Sequence, residues 1–303
     1  MKEIVLITGA HGVIAQELSQ RLSNAFEVRL LSRFPEQKNE FKWNIDKHFI
    51  DDNALKDISH IVHLAGANVL EKKWTEARRS EIVSSRVKSA DMLLRLLQNQ
   101  NQHIKTFVTA SAIGFYGNET SERIFVEDDV KGTGFLSDVV LRWEQAADAF
   151  ADEGIAQRVV KLRTGIVLSA QGGALPKIGG FVKRYIGAAF GSGKQYMPWI
   201  HVDDICAIYE FVLRNTMVNG VFNAVAPHQL TNEEFMKVLA EVLKKPLIMP
   251  NIPSFVLKSI LKESASALLE GTRVSPQKII NAGFEFAYPN LKPALDNLFR
   301  EAK

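Results

Sequence analysis

A single cysteine, Cys206, stands in the whole chain, so no intramolecular disulfide framework can hold it together. Its apolar setting, Ile205-Cys206-Ala207-Ile208, assigns it to packing rather than to nucleophilic chemistry. Scarce thiol fits a reducing, cytoplasmic location. No apolar run approaches the ~18 to 20 residues that a membrane span needs, and the first hydrophobic segment is too short and too early for a signal peptide. A membrane partner is therefore not expected. Neither sign of charge dominates, since 37 basic residues stand against 34 acidic ones for a net charge of +3. With Lys and Arg scattered, there is no electrostatic footprint for nucleic acid. Metal-ligand spacing is missing too. His201-Val202-Asp203-Asp204 lacks further ligands, and its aspartates precede an apolar-periodic helix, where capping accounts for them.

What is present is a chain of 303 residues with 46% hydrophobic content, enough for one nucleotide-binding domain and a smaller appended lobe. The opening segment is the most informative. Ile4-Val5-Leu6-Ile7 runs into Thr8-Gly9-Ala10-His11-Gly12-Val13-Ile14-Ala15, and a helical apolar stripe follows through Leu18, Leu22 and Phe26. A strand that ends in glycines lets the backbone turn sharply and meet a phosphate with no side chain in the way. The next helix then offers unpaired N–H groups and the positive end of its dipole. Thr8, Gly9, His11, Gly12, Val13 and Ile14 are thus expected to hold a dinucleotide pyrophosphate, with Ala15 as the small third residue of a GxxGxxA variant. The competing reading is a glycine-rich connection without chemistry. A second strand, Glu27 to Arg33, about 20 residues on, argues for the ligand site.

Strand and helix patterns alternate from there. Strands are expected at Phe41 to Ile45, His60 to Gly66, Lys105 to Ala110 and Ala156 to Leu162, with helices at Asp51 to Ile58, from Trp74 or Thr75 to Leu97, and at Phe135 to Asp152. The alternation predicts an α/β fold, a Rossmann-type doubly wound parallel sheet. Later, Gly172-Gly173, Gly179-Gly180 and Gly187 to Gly193 mark loops around a helix near Phe181 to Ile186. Asp203 or Asp204 is expected to cap a helix from Ile205 to Arg214, and Thr231 with Glu234 forms a capping box. The last helices are expected at Phe255 to Leu261 and Pro276 to Ala282. The organisation expected is a dinucleotide-binding domain over 1–168 with a returning segment about 196–226. A smaller, mostly helical C-terminal substrate lobe takes 169–195 and 227–303.

The tip of the second strand bears on which dinucleotide binds. NAD binders usually carry an acid there, whereas an arginine accommodates the 2′-phosphate of NADP. This chain has Ser32-Arg33, so NADP(H) is the expected cofactor; the alternative is an ordinary exposed arginine at a strand end.

Several strings carry a resemblance over nearly the whole chain: His63-Leu64-Ala65-Gly66-Ala67-Asn68, Ser85-Arg86, Ser111-Ala112-Ile113-Gly114-Phe115-Tyr116-Gly117, Trp143-Glu144, Trp199-Ile200-His201-Val202-Asp203-Asp204 and the tail Ala282-Gly283-Phe284. They resemble the atypical, epimerase-like branch of the extended short-chain dehydrogenase/reductase superfamily, whose substrate is unknown and whose members end in a small domain of unknown function. The resemblance implies that Ser32 and Arg33 hold the adenosine phosphate, that Leu64, Ala65 and Gly66 lie along the cofactor, and that Glu81 and Arg86 contact it. It brings Arg163, at a strand end, within reach of cofactor or substrate. In the wider superfamily a Tyr and a Lys four residues later assist hydride transfer. Matched through Glu144, those positions fall on Leu136 and Val140, so the pair is missing here. Ser111 and Tyr116 are then the local catalytic candidates, against a reading of Tyr116 as a packed aromatic. Two functions stand open: an NADP(H)-dependent oxidoreductase or epimerase-like enzyme acting on a small molecule, or a catalytically silent NADP(H)-binding redox-sensing or scaffolding protein. Members of the superfamily often form homodimers through the helices near Thr75 and Phe135.

Overall fold

Twelve strands and eleven α-helices appear in the computed structural model, which describes residues 2–117 and 120–301. The strands are β1 (Ile4–Thr8), β2 (Glu27–Ser32), β3 (Glu40–Asn44), β4 (Phe49–Ile50), β5 (His60–His63) and β6 (Ile104–Ala112), then β7 (Ile124–Phe125), β8 (Ala156–Thr164), β9 (Ile166–Leu168), β10 (Trp199–His201), β11 (Gly220–Ala224) and β12 (Arg273–Val274). Eight of them form one sheet in the order β11-β8-β6-β5-β1-β2-β3-β4. Every neighbouring pair in it is parallel except the edge pair β3–β4. That edge departs from the purely parallel expectation. Asn44 accepts from the Lys47 N–H at 3.0 Å and His48 takes a positive φ of 49°, so a tight turn folds the chain straight back.

Period-two burial explains the two faces. On β1, Val5 and Ile7 join one hydrophobic cluster while Leu6 joins the other, and on β6 Val108 and Phe107 divide the same way. Helices α1 (Val13–Leu22), α2 (Asp52–Leu55), α3 (Glu76–Asn99), α4 (Phe135–Asp152), α5 (Leu175–Lys183) and α6 (Val202–Arg214) supply the layers. Leu18 and Leu22 of α1 and Ile205 and Ile208 of α6 cover the first face. Leu93 and Leu97 of α3 and Ala147 and Phe150 of α4 cover the second. Burying each such leucine contributes roughly 1.5–3 kcal/mol, so this layering rather than helix propensity holds the fold.

The remaining helices, α7 (Asn232–Val242), α8 (Ser254–Leu261), α9 (Ser266–Leu269), α10 (Gln277–Asn281) and α11 (Leu291–Glu301), make the smaller, largely helical C-terminal region. Sequence reasoning misplaced three features here. Helix α5 lies at Leu175–Lys183, not at Phe181 to Ile186, because Gly179 sits inside it: a Cβ there would stand 3.2 Å from the Phe299 ring, so the glycine permits close packing instead of marking a loop. Helix α6 is capped by His201, whose Nδ1 accepts from the Asp203 N–H at 3.1 Å, and not by Asp203 or Asp204. Asp204 instead accepts from the backbone N–H groups of Ala287 and Tyr288, at 2.8 and 3.0 Å, and pins the tail to the sheet domain. Helix α11 was not anticipated; its Pro293 falls in the first turn, where the missing N–H costs nothing. Cys206 is buried, and burial raises its thiol pKa. Among the described residues no helix is long and apolar enough to cross a membrane.

Candidate functional site

The strand order reverses between β1 and β5, and ligands of open α/β sheets bind outside the carboxyl ends at such a switch point. The glycine turn lies there. Gly9 has φ of 78°, and a Cβ on it would press to 3.3 Å from the Leu64 carbonyl. Gly12 caps α1 with no side-chain hydrogen bond, and no acid occupies the first turn, so the first amides of α1 have no side-chain partner there. Thr8 Oγ1 accepts from the N–H groups of Leu64 and Ala65, both at 2.9 Å, which locks the two strand-end loops together. The resulting cleft of about 240 Å³ is lined by Gly9, Gly12, Val13, Ile14, Leu64 and Gly172. A wider surface basin of about 960 Å³, lined by Glu3, His60 and Lys105 among others, lies at the opposite ends of the strands, away from where such sheets bind ligands.

At the tip of β2, Ser32 is buried and its Oγ lies 2.9 Å from His11 Nε2. His11 in turn stands 3.7 Å from the buried Glu40 carboxylate. Arg33 is exposed, makes no hydrogen bond or ion pair with a described residue, and its charge helps lower the Glu81 pKa. Phe34 beside it is 75% exposed. Sequence reasoning passed over Phe34 and Glu40. An aromatic in the polar run Ser32-Arg33-Phe34-Pro35-Glu36 was the available signal for the first; Glu40 lies on the neighbouring strand and had none.

Arg86 reaches Gly66 from α3. A Cβ on Gly66 would stand 2.9 Å from the Arg86 guanidinium carbon, so glycine is required for that approach. The guanidinium donates to the carbonyls of Ile82 and Ala67 at 2.9 and 3.1 Å and stacks over Trp143 at 4.9 Å. No carboxylate pairs with it among the described residues, and burial, with Arg78 nearby, lowers its pKa to about 10. A half-buried cation without a counter-ion beside the cleft suits an anion. Glu81 is exposed and engaged by Arg78 at 2.7 Å.

The other predicted residues gather one step further along, in a buried polar network. Arg163 grips Glu144 with two charge-assisted bonds of 2.8 and 2.9 Å, donates to Tyr116 Oη and the Glu127 carbonyl at 3.1 Å each, and lies over the Phe115 ring at 3.4 Å. Ser111 donates to Glu144 at 2.6 Å, and Tyr116 donates to Asn223 Oδ1 at 2.7 Å. Burial, partly opposed by Arg163, pushes the Tyr116 hydroxyl up to about 12. Arg163, Ser111 and Tyr116 are thus brought together, with their polar atoms turned to one another. Glu144 and Asn223 were not anticipated as their partners. A separate chamber of about 270 Å³ lies beyond the carboxyl ends of β6 and β8, lined by Ile113, Gly114, Leu136 and Ile166 and by the C-terminal residues Leu268 and Thr272. Among the described residues no group of His, Cys, Asp and Glu is arranged to hold a metal ion.

Comparison with known proteins agrees with this geometry. The chain matches the NAD dependent epimerase/dehydratase family over residues 5–224 and a domain of unknown function, DUF1731, over 252–298. It is similar to an epimerase family protein of Staphylococcus aureus (strain N315), 33% identical over 300 residues that span 98% of this chain and 99% of the other. The crystal structure of the human epimerase family protein SDR39U1 (isoform 2) with NADPH superposes with a TM-score of 0.88 at 30% identity, covering 98% of this chain and 99% of that one. A nucleoside-diphosphate sugar epimerase from Corynebacterium glutamicum superposes with a TM-score of 0.79 at 28% identity, covering 98% of this chain and 58% of that one. The chain belongs to the NAD dependent epimerase/dehydratase family, in the extended short-chain dehydrogenase/reductase superfamily, and carries a small C-terminal domain of unknown function.

Proposed function

We propose that the protein is an NADP(H)-dependent oxidoreductase or epimerase-like enzyme with a non-standard active site. The carrying observation is Arg33, exposed and without a bonded partner among the described residues, at the tip of the strand beside the uncapped start of α1. The human relative solved with NADPH supports the same choice of dinucleotide. In this reading the amides of Gly12, Val13 and Ile14 hold the pyrophosphate, Arg33 and Ser32 the 2′-phosphate, and Phe34 offers a face to the adenine. Thr8 fixes the Leu64–Gly66 loop along the ligand, and Arg86 supplies charge. The bound dinucleotide would supply or accept a hydride.

The usual Tyr-Lys pair is replaced, in our reading, by Leu136 and Val140. Both lie on α4 against Gly114, whose Cβ position is 3.6 Å from Leu136 Cβ and 4.0 Å from a Val140 methyl. Ser111 and Tyr116, the sequence's catalytic candidates, act here by positioning: their hydroxyls hold Glu144 and Asn223, and neither residue lines the cleft or the chamber. That engagement favours, as a second reading, a binder of NADP(H) without turnover. Oxidation of NADPH across a panel of ketones, aldehydes and nucleotide sugars separates the two, because only an enzyme consumes it.

Calorimetric titration tests the cofactor choice. NADPH is expected to bind more tightly than NADH, and Arg33→Asp to weaken NADPH by roughly 10- to 150-fold, the worth of one charge-assisted phosphate contact. Equal affinities in the natural chain would overturn it.

A further inference from the structure

The chamber beyond the dinucleotide cleft lacks the positive charge that the diphosphate of a nucleotide sugar needs. Its wall is built from Val69, Leu70, Ile113, Leu136, Ile178 and Leu268, together with Phe190 and Met197, and among the described residues no Lys or Arg lines it. Glu270 is the one carboxylate there, and it would repel a diphosphate. Arg273, next along the chain from the lining residues Gly271 and Thr272, lies over the Tyr196 ring at 5.0 Å and pairs with Glu122 at 3.2 Å. Three polar side chains of the wall are turned to the protein. Asn232 accepts from the Phe190 N–H at 2.7 Å, Tyr196 donates to Glu122 at 2.8 Å, and Thr164 donates to the Leu162 carbonyl at 3.0 Å.

Size points the same way. At about 270 Å³ the chamber falls just below the roughly 300–1,000 Å³ of clefts that take drug-sized ligands. Its tail-side wall is close-packed at one point: a Cβ on Gly271 would collide with the Tyr196 carbonyl oxygen, so the two backbones are in direct contact. An anionic group placed here would lose its water and meet no positive charge, only the Glu270 carboxylate, whereas an apolar body would gain by leaving water.

We propose that this chamber is the substrate site and that it takes a largely apolar small molecule without an anionic group, instead of a nucleotide sugar. The assignment as a substrate site rests on the function proposed above; the chemistry of the occupant rests on the wall alone. A few placed polar groups orient ligands in such sites, and Thr272 contributes a hydroxyl-bearing side chain to this wall.

The test uses the full chain and the neutral fluorescent probe N-phenyl-1-naphthylamine, with UDP-glucose as competitor, in the absence and presence of NADPH. Saturable binding of the probe at one site is expected, undisturbed by UDP-glucose. Leu136→Arg is expected to weaken the probe by at least about tenfold by adding a desolvated charge, and Leu268→Trp to do so by filling the space. Thermal unfolding checks that each variant is folded, and two independent substitutions on different helices guard against the failure of either. Displacement of the probe by UDP-glucose, or unchanged probe binding in both folded variants, would overturn the proposal. Separate calorimetry with NADPH keeps the questions apart. If the dinucleotide does not bind, the functional reading fails while the probe measurements still decide what the chamber holds.

Discussion

Arg163 shows how position and role diverge at a single side chain. It closes β8 on the ligand-binding edge, yet its guanidinium is given to Glu144, Tyr116 and the Glu127 carbonyl. Its strand-end location was readable in the sequence; its partners come from α4 and from a loop far off along the chain, and no local pattern announces them. His63 is the sharper case. It is fully buried at the end of β5, with Nε2 2.8 Å from Ser89 Oγ, and since that hydroxyl donates to the Ser85 and Arg86 carbonyls, it accepts the Nε2 proton. Burial, with Arg86 nearby, pushes the His63 pKa down to about 3 from the usual 6.5. Between those two values the unfolded chain binds the proton and the folded one does not. Stability is therefore full above pH 6.5 and falls as the pH drops toward 3, by up to about 1.4 kcal/mol per unit from this group. Urea unfolding from pH 7.5 to 4.5 should show a steeper loss for the natural chain than for His63→Gln. Parallel slopes would show that His63 takes a proton without unfolding.

At the scale of elements, local rules succeeded where local chemistry decided the outcome. Thr231 and Glu234 form the anticipated capping box, with Thr231 Oγ1 accepting from the Glu234 N–H at 3.3 Å and the Glu234 carboxylate accepting from the Thr231 N–H at 2.8 Å. Thr231→Ala should cost about 0.5–2 kcal/mol, read as a lower urea midpoint at constant slope. An unchanged midpoint would mean that tertiary packing of Phe235 and Leu239 alone holds α7 in place. Helix α4 was legible to its ends, Phe135 and Asp152, because its apolar period is strong and Gly154 follows. Helix α5 was not, since the meaning of Gly179 depends on Phe299, which arrives on the last helix. The same is true of His201, which caps α6 in place of the two aspartates that composition favours.

Across the whole molecule, the sheet and its glycine loop followed from alternation and turn chemistry, while the chamber depended on segments distant in sequence and stayed unseen. The loop also ties stability to the ligand. A dinucleotide held only by the folded chain stabilises it by about 2.7 kcal/mol at a hundred times its dissociation constant. NADPH should thus raise the melting temperature by several degrees, and by more than NADH does at equal concentration. Equal shifts would remove the preference assigned to Arg33.

The stretch from Ala267 to Thr272 roofs a room bordered by Ile113 and Gly114, just past β6, and by Thr164 at the end of β8. The glycine turn after β1 lies near one end of the sequence and this roof near the other, so the two are encoded far apart. Edits to the tail can therefore reshape the room without touching a residue that lines the cleft at the glycine turn.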